Sequence, residues 1–238
     1  MRFNQKEFNN FIIDNDVVGF FDKEVTLASG RSSHWYVNWR KISNDVFLMD
    51  ELSDYVINFV TSRGLKPNCF YGVPEGATKL GIITQFKWAK QSDFYDKGSH
   101  SLPMGRAKPK EHGDPKDRYF VGEPRGKIVC LEDVTTTGNS LIKSCQGLLE
   151  LKSNRLIICA VGLTDRMEIT GYKESPGIVI EKTSVKNAMS LLDIRYESMS
   201  SAEELLELAV KKYKPNTEII KSIEKEFEEY GIKPIKLA

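Results

Sequence analysis

The sequence predicts an α/β domain, a mostly parallel sheet flanked by helices, with a helical appendage at its C-terminal end. Three observations carry that prediction. Short apolar runs rich in Ile, Val and Cys occupy residues 68–71, 127–131, 156–161 and 178–180, each bounded by Gly, Pro or charge, as expected of strands buried on both faces. Segments with helical periodicity lie between them, and strands alternating with helices give a parallel sheet covered on both sides. Hydrophobic residues make up 40% and charged residues 28% of the chain, a balance that closes a core and lies far from the composition of disordered chains.

The elements follow in order. Asn4 and Glu7 have the spacing of a capping box, and Phe8, Phe11 and Ile12 then share one helical face. Phe47, Leu48, Glu51, Leu52, Tyr55, Val56 and Phe59 mark a second helix that Gly64 ends as a C-terminal cap. Leu141, Cys145, Leu148 and Leu149 form the clearest stripe between two strand-like runs. Ser201 with Glu204 repeats the capping box, and residues 216–230 make an amphipathic helix stopped by Gly231. Residues 1–200 are read as the main domain, with 1–45 as its N-terminal segment, and 201–238 as a helical extension.

Charge and composition exclude several function classes. Lys and Arg total 34 against 33 Asp and Glu, so no general basic field holds a nucleic-acid backbone and any anion site is local. The first residues lack the apolar segment of a signal peptide, and no apolar run spans a bilayer, so a cytoplasmic location without membrane contact is expected. Cys69, Cys130, Cys145 and Cys159 sit in apolar stretches without Cys-x-x-Cys spacing and read as buried free thiols. His34, His100 and His112 show no metal-ligand spacing, which argues against zinc.

The segment that carries chemistry runs Ile128-Val129-Cys130-Leu131-Glu132-Asp133-Val134-Thr135-Thr136-Thr137-Gly138-Asn139-Ser140. It joins a buried strand to a helix through small hydroxyl residues and Gly. Such a turn aims backbone N–H groups and hydroxyls at one spot beside the positive end of a helix dipole, which suits a phosphate monoester. Glu132 and Asp133 fall at the carboxyl end of the strand, where open α/β sheets bind ligands. Carboxylates repel phosphate, so ribose hydroxyls or a magnesium ion shared with the substrate are the fitting partners. Neither Gly-x-Gly-x-x-Gly nor Gly-x-x-x-x-Gly-Lys-Ser/Thr occurs, which removes the usual rival phosphate loops.

This arrangement resembles the signature of the type I phosphoribosyltransferases, in which apolar residues precede two acids and a Thr/Gly-rich loop. The resemblance gives Glu132 and Asp133 the ribose hydroxyls of phosphoribosyl diphosphate, and Thr135, Thr136, Thr137, Gly138, Asn139 and Ser140 its 5-phosphate. Other stretches narrow it to the orotate phosphoribosyltransferases. Residues 26–33 followed by Tyr36 and Arg40 look like that family's N-terminal substrate segment, a small hood over the sheet, with Ala28 where the family has a lysine. Tyr36 matches the aromatic beside the base. Residues 71–78, with Pro74, Glu75 and Gly76, resemble the diphosphate-binding loop, with Glu75 as a departure.

Residues 106–113 lie in a polar stretch that runs to Gly126, and a stretch of that length without structure of its own reads as a lid. It resembles the family's mobile catalytic loop: Arg106, Lys110 and His112 match, Lys108 joins them on the diphosphate, and Ala107 replaces a second lysine found in many members. Thr164-Asp165-Arg166-Met167-Glu168 resembles the family's Asp-Arg-x-Glu, with Arg166 set to pair with the orotate carboxylate through its guanidinium fork. Thr136 is also expected at the base.

The resemblance implies transfer of a phosphoribosyl group to orotate. Mg2+ enters with the substrate and is shared with Glu132 and Asp133. Asp133, Arg106, Lys110 and His112 serve catalysis, in a homodimer whose loop crosses to the neighbouring subunit. Two other readings stay open from the residues: transfer to another base, and a sensor of phosphoribosyl diphosphate without turnover.

Overall fold

The computed structural model describes residues 2–112, 118–151, 155–170 and 183–237. Helix α1 (Gln5–Asp14) starts where Asn4 Oδ1 accepts from the amides of Lys6 and Glu7 at 3.0 and 3.3 Å, while Asn4 Nδ2 donates to Glu7 Oε1. The N-cap half of the expected capping box is therefore formed, while Glu7 meets the Asn4 side chain in place of its backbone amide. Strands β1 (Val18–Thr26) and β2 (Ser32–Val37) make an antiparallel hairpin that pairs Gly19 with Tyr36 and Phe20 with Trp35. Helix α2 (Val46–Ser62) is capped by Asp45 and buries Met49, Leu52, Val56, Phe59 and Val60; Phe47, read as part of that stripe, is 76% exposed. The chain leaves α2 through Gly64 at φ 71°, a left-handed conformation that suits a residue without a β-carbon.

Then come β3 (Cys69–Gly72), α3 (Thr78–Lys90), the short hairpin strands β4 (Met104–Gly105) and β5 (Phe120–Val121), β6 (Gly126–Thr135), α4 (Asn139–Glu150), β7 (Arg155–Asp165), α5 (Val185–Ser190), β8 (Tyr196–Ser198), α6 (Ala202–Tyr213) and α7 (Thr217–Glu229). Strands β3, β6, β7 and β8 form one parallel sheet in the order β3-β6-β7-β8. The sequence reading gave β3, β6 and β7 and missed the three-residue edge strand β8; its run at 178–180 lies outside the described residues. β6 extends past its apolar run to carry Glu132 and Asp133 within the strand.

The sheet has a core on each side, and β6 shows why. Val129 and Leu131 face one cluster, with α1, α2, α6 and α7, while Ile128 and Cys130 face the other, with α4 and α5, as the two-residue period of a strand requires. On α4, Leu141, Cys145 and Leu148 are buried and Leu149 is 50% exposed. The four cysteines are buried free thiols, as read. In the C-terminal segment Leu205, Leu206, Ile219, Ile223 and Phe227 pack in the same cluster as Phe8, Trp35 and Trp39, so the extension and the N-terminal hairpin share one core. Ser201 reaches Glu204 through its side chain and caps no amide of α6. Among the described residues no helix is long and apolar enough to cross a membrane.

Candidate active site

The loop after β6 enters α4 through Gly138, which takes φ 73° and gives the helix no side-chain cap. A β-carbon at position 138 would meet both methyl carbons of Val185 at 3.0 Å, so the turn needs Gly both for its backbone conformation and for its closeness to α5. With no side chain on the first amides of α4, the helix start keeps its donors for the loop itself, the geometry of an anion cradle. Asn139 and Ser140 are exposed there and Thr136 and Thr137 are half-buried. Thr135 differs from its neighbours: it is 1% exposed, and its hydroxyl lies 2.6 Å from the Tyr196 phenol and 3.4 Å from the Thr164 carbonyl. Its side chain anchors the loop instead of facing a ligand.

The turn after β3 closes onto the acids of β6. Val73 N donates to the Leu131 carbonyl at 2.8 Å, which extends the strand pairing by one residue. Three positions later, a β-carbon on Gly76 would lie 2.4 Å from Asp133 Oδ2. The structure thus brings Gly76 beside Asp133, with Pro74 and Glu75 on the same turn and Glu75 exposed.

Glu132 is 5% exposed, and its carboxyl is pushed up to about 9 by burial first and by Asp133 second. Asp133 accepts from the Val134 amide at 2.8 Å. Among the described residues no ion pair compensates either group. Two adjacent hard-oxygen donors lacking a counter-charge fit ribose hydroxyls or Mg2+, which takes one or two carboxylates and fills its remaining positions with phosphate and water.

The polar stretch expected to lack structure has an ordered root. β4 pairs with β5, and the ladder continues as Arg106 N donates to the Tyr119 carbonyl at 2.9 Å and Lys110 N to the Arg118 carbonyl at 2.8 Å. Gly105 lies against Tyr71 and Pro74. Arg106 and Pro74 line a cavity of about 290 Å³ between this hairpin and Lys143 on α4. Lys108, Lys110 and His112 are exposed, and Gly113 lies outside the described residues.

Arg166 is 2% exposed and stands in a closed cluster. Its Nε donates to Glu168 at 2.7 Å and an Nη to Glu226 of α7 at 2.9 Å and to Ser33 at 3.2 Å, and its guanidinium lies 3.8 Å from the centre of the Trp35 ring. Arg31 also pairs with Glu168, at 2.8 Å. Burial raises the Glu226 carboxyl above its ordinary range and Arg166 opposes the rise. Arg166, which the resemblance sets toward the orotate carboxylate, is thus held in a buried ion pair with Glu168 and with a second carboxylate from the C-terminal helix. The structure brings Trp35, not Tyr36, onto Arg166. Tyr36 alternates to the other face of the hairpin, against Phe21 and Gly19, and Arg40 is exposed after β2. Trp35, Tyr196 and Glu226 went unread. Only the buried alternation of Ser33 and Trp35 carried a signal, and one sequence does not tell which face of a strand packs.

No family model matches the chain. An orotate phosphoribosyltransferase of Rhodopseudomonas palustris (strain TIE-1) is 34% identical over 156 residues, 61% of this chain and 75% of that protein. Among solved structures, orotate phosphoribosyltransferase from Francisella tularensis superimposes with TM-score 0.62 at 21% identity, over 94% of this chain and 99% of that one. Leishmania donovani UMP synthase gives 0.67 at 18% identity over 94% of this chain, which spans 42% of that longer protein. The structural likenesses establish the shared fold. The sequence match reaches past the fold: with a third of the aligned residues identical across three quarters of a relative, the chain belongs to the orotate phosphoribosyltransferase family.

Proposed function

We propose that the chain transfers the phosphoribosyl group of phosphoribosyl diphosphate to N1 of orotate, giving orotidine 5-phosphate and diphosphate, a step of pyrimidine nucleotide biosynthesis. The observation that carries this reading is the closure of the Gly76 turn onto Asp133 next to the open N-terminus of α4. A diphosphate cradle, ribose acceptors and a 5-phosphate nest then meet at the carboxyl end of one parallel sheet.

Transfer at the ribose C1 passes through a cation-like sugar as an anion departs, so catalysis rests on charge stabilisation. Asp133 and Glu132 accept from the ribose hydroxyls and face the developing positive charge. Thr136, Thr137, Gly138, Asn139 and Ser140 hold the 5-phosphate with hydroxyls and amides. Arg106, Lys108, Lys110 and His112, on a hairpin rooted beside Pro74, close over the diphosphate and exclude water that would hydrolyse the activated sugar. Magnesium, when bound with the substrate at Glu132 and Asp133, supplies neutralising charge to the departing diphosphate. Arg166 meets the orotate carboxylate once Glu226 or Glu168 releases it. The protein works in the cytoplasm as a homodimer, the exposed loop serving the partner's site.

The closed Arg166 cluster favours one second reading, an acceptor base without a carboxylate. One assay separates the two. Purified protein is incubated with Mg2+, phosphoribosyl diphosphate and each candidate base in turn, and diphosphate release is followed. Release with orotate supports the first reading, and release with uracil at an equal rate supports the second.

A further inference from the structure

Tyr196, on the edge strand β8, is 5% exposed and lies across the carboxyl ends of its neighbours. Its phenol oxygen is 2.6 Å from Thr135 Oγ1 at the end of β6, and its hydroxyl donates to Asp165 Oδ2 at the end of β7 at 3.3 Å. A phenol has one proton, and an ionised carboxylate can only accept. The Thr135 hydroxyl also has one proton and donates to the Thr164 carbonyl at 3.4 Å, so either oxygen supplies the proton of the 2.6 Å link between Thr135 and Tyr196. Three strand ends are tied by one chain of hydrogen-bonded groups. Room for it comes from Gly162, where a β-carbon would sit 2.9 Å from the Tyr196 hydroxyl and 3.3 Å from Thr135 Oγ1. The backbone adds to the tie, since Arg166 N donates to the Thr135 carbonyl at 2.9 Å.

We infer that Tyr196 is a positioning residue for the sugar-phosphate site: through Thr135 and Asp165 it fixes where the loop from Thr136 to Ser140 leaves the sheet. Thr135 spends its hydroxyl on Tyr196 and so holds the loop without touching the phosphate. Loop amides serve as phosphate donors only when their aim is set in advance, because reorienting them on binding costs affinity. A satisfied phenol at a sheet edge with no bearing on the loop would be silent in substrate binding. The inference rests on the proposed reading of that loop as the 5-phosphate site.

The test is steady-state transfer to orotate. Tyr196→Phe, which keeps the ring, should raise KM for phosphoribosyl diphosphate about fivefold to tenfold, the effect of one lost hydrogen bond, with kcat and the melting temperature little changed. Thr135→Val should do the same, and the double variant should be no worse than either alone, since both break one link. Thr135→Ser, which keeps the hydroxyl, should retain the unmodified KM, and the contrast with Thr135→Val carries the test if Tyr196→Phe does not fold. An unmodified KM in Tyr196→Phe, effects that multiply in the double variant, or a Thr135→Ser enzyme as impaired as Thr135→Val would overturn the inference. Ser140→Ala separates this failure from failure of the underlying reading. If Ser140→Ala leaves phosphoribosyl diphosphate binding unchanged, the loop is not the phosphate site. If it weakens binding while Tyr196→Phe does not, only the positioning role falls.

Discussion

Gly76 packs so tightly on Asp133 that a β-carbon at position 76 would fall 2.4 Å from the carboxylate oxygen Oδ2. The atom it would strike is the end of a side chain, so the fold can yield where the site cannot. Gly76→Ala is expected to change stability by less than about 1 kcal/mol, as for exposed substitutions. Turnover should fall at least about tenfold, since small displacements of a catalytic carboxylate have large kinetic effects. Thermal unfolding and initial rates check the two halves separately. A variant with full activity would mean that the Asp133 carboxylate need not stay where it is.

Arg166 and Glu226 tie the sheet to the C-terminal helix across 60 residues of chain, at 2.9 Å. Arg166→Ala would leave Glu226 buried without its cation, which is expected to lower stability by about 3–5 kcal/mol near neutral pH. The folded-state value of Glu226 is already raised by burial with Arg166 opposing the rise, and in the variant it rises further. A carboxyl whose folded value lies above its unfolded value contributes stability below the unfolded value and loses it as pH increases. The deficit of Arg166→Ala should therefore shrink from about pH 7 to about pH 4, as read from urea unfolding at each pH. A deficit that stays constant over that range would show that the buried charge is not its source.

Much of this site was legible because its chemistry is local in sequence. The uninterrupted apolar run of β6, the two acids and the Thr/Gly turn are neighbours along the chain, and their spacing alone fixes a strand, a ligand-facing end and a helix start. The Arg166 cluster was not legible, because Glu226 lies on a helix rich in Glu and Lys where a carboxylate reads as solvated, and nothing local marks its partner. Tyr196 sits on a strand of three residues, too short for periodicity to register. Trp35 and Tyr36 are adjacent, so strand alternation sends one inward and one outward, and only the packing of α7 decides which.

The exposed position of Lys110 bears on the proposed dimer. Lys110→Ala should disable the loop and Asp133→Asn the sugar site, so each variant alone should be nearly inactive. After mixing with random subunit exchange, about half of the dimers hold both variants, and a loop that crosses to its neighbour gives each of these one intact site. Activity should return to about a quarter of the unmodified level. Labelled subunits that have exchanged without any recovery would place each loop over its own site.

The most direct measurement is the rate of orotidine 5-phosphate formation by the purified chain with Mg2+, phosphoribosyl diphosphate and orotate, run beside Asp133→Asn. Asp133 pairs with no cation among the described residues and accepts from the Val134 amide through an oxygen that Asn also carries, so the variant should fold as well as the unmodified chain. The expected result is robust transfer to orotate by the unmodified protein, and a loss of about a hundredfold or more in kcat/KM for Asp133→Asn at unchanged melting temperature. No transfer to orotate by the folded chain, or equal rates for the two proteins, would contradict the assignment.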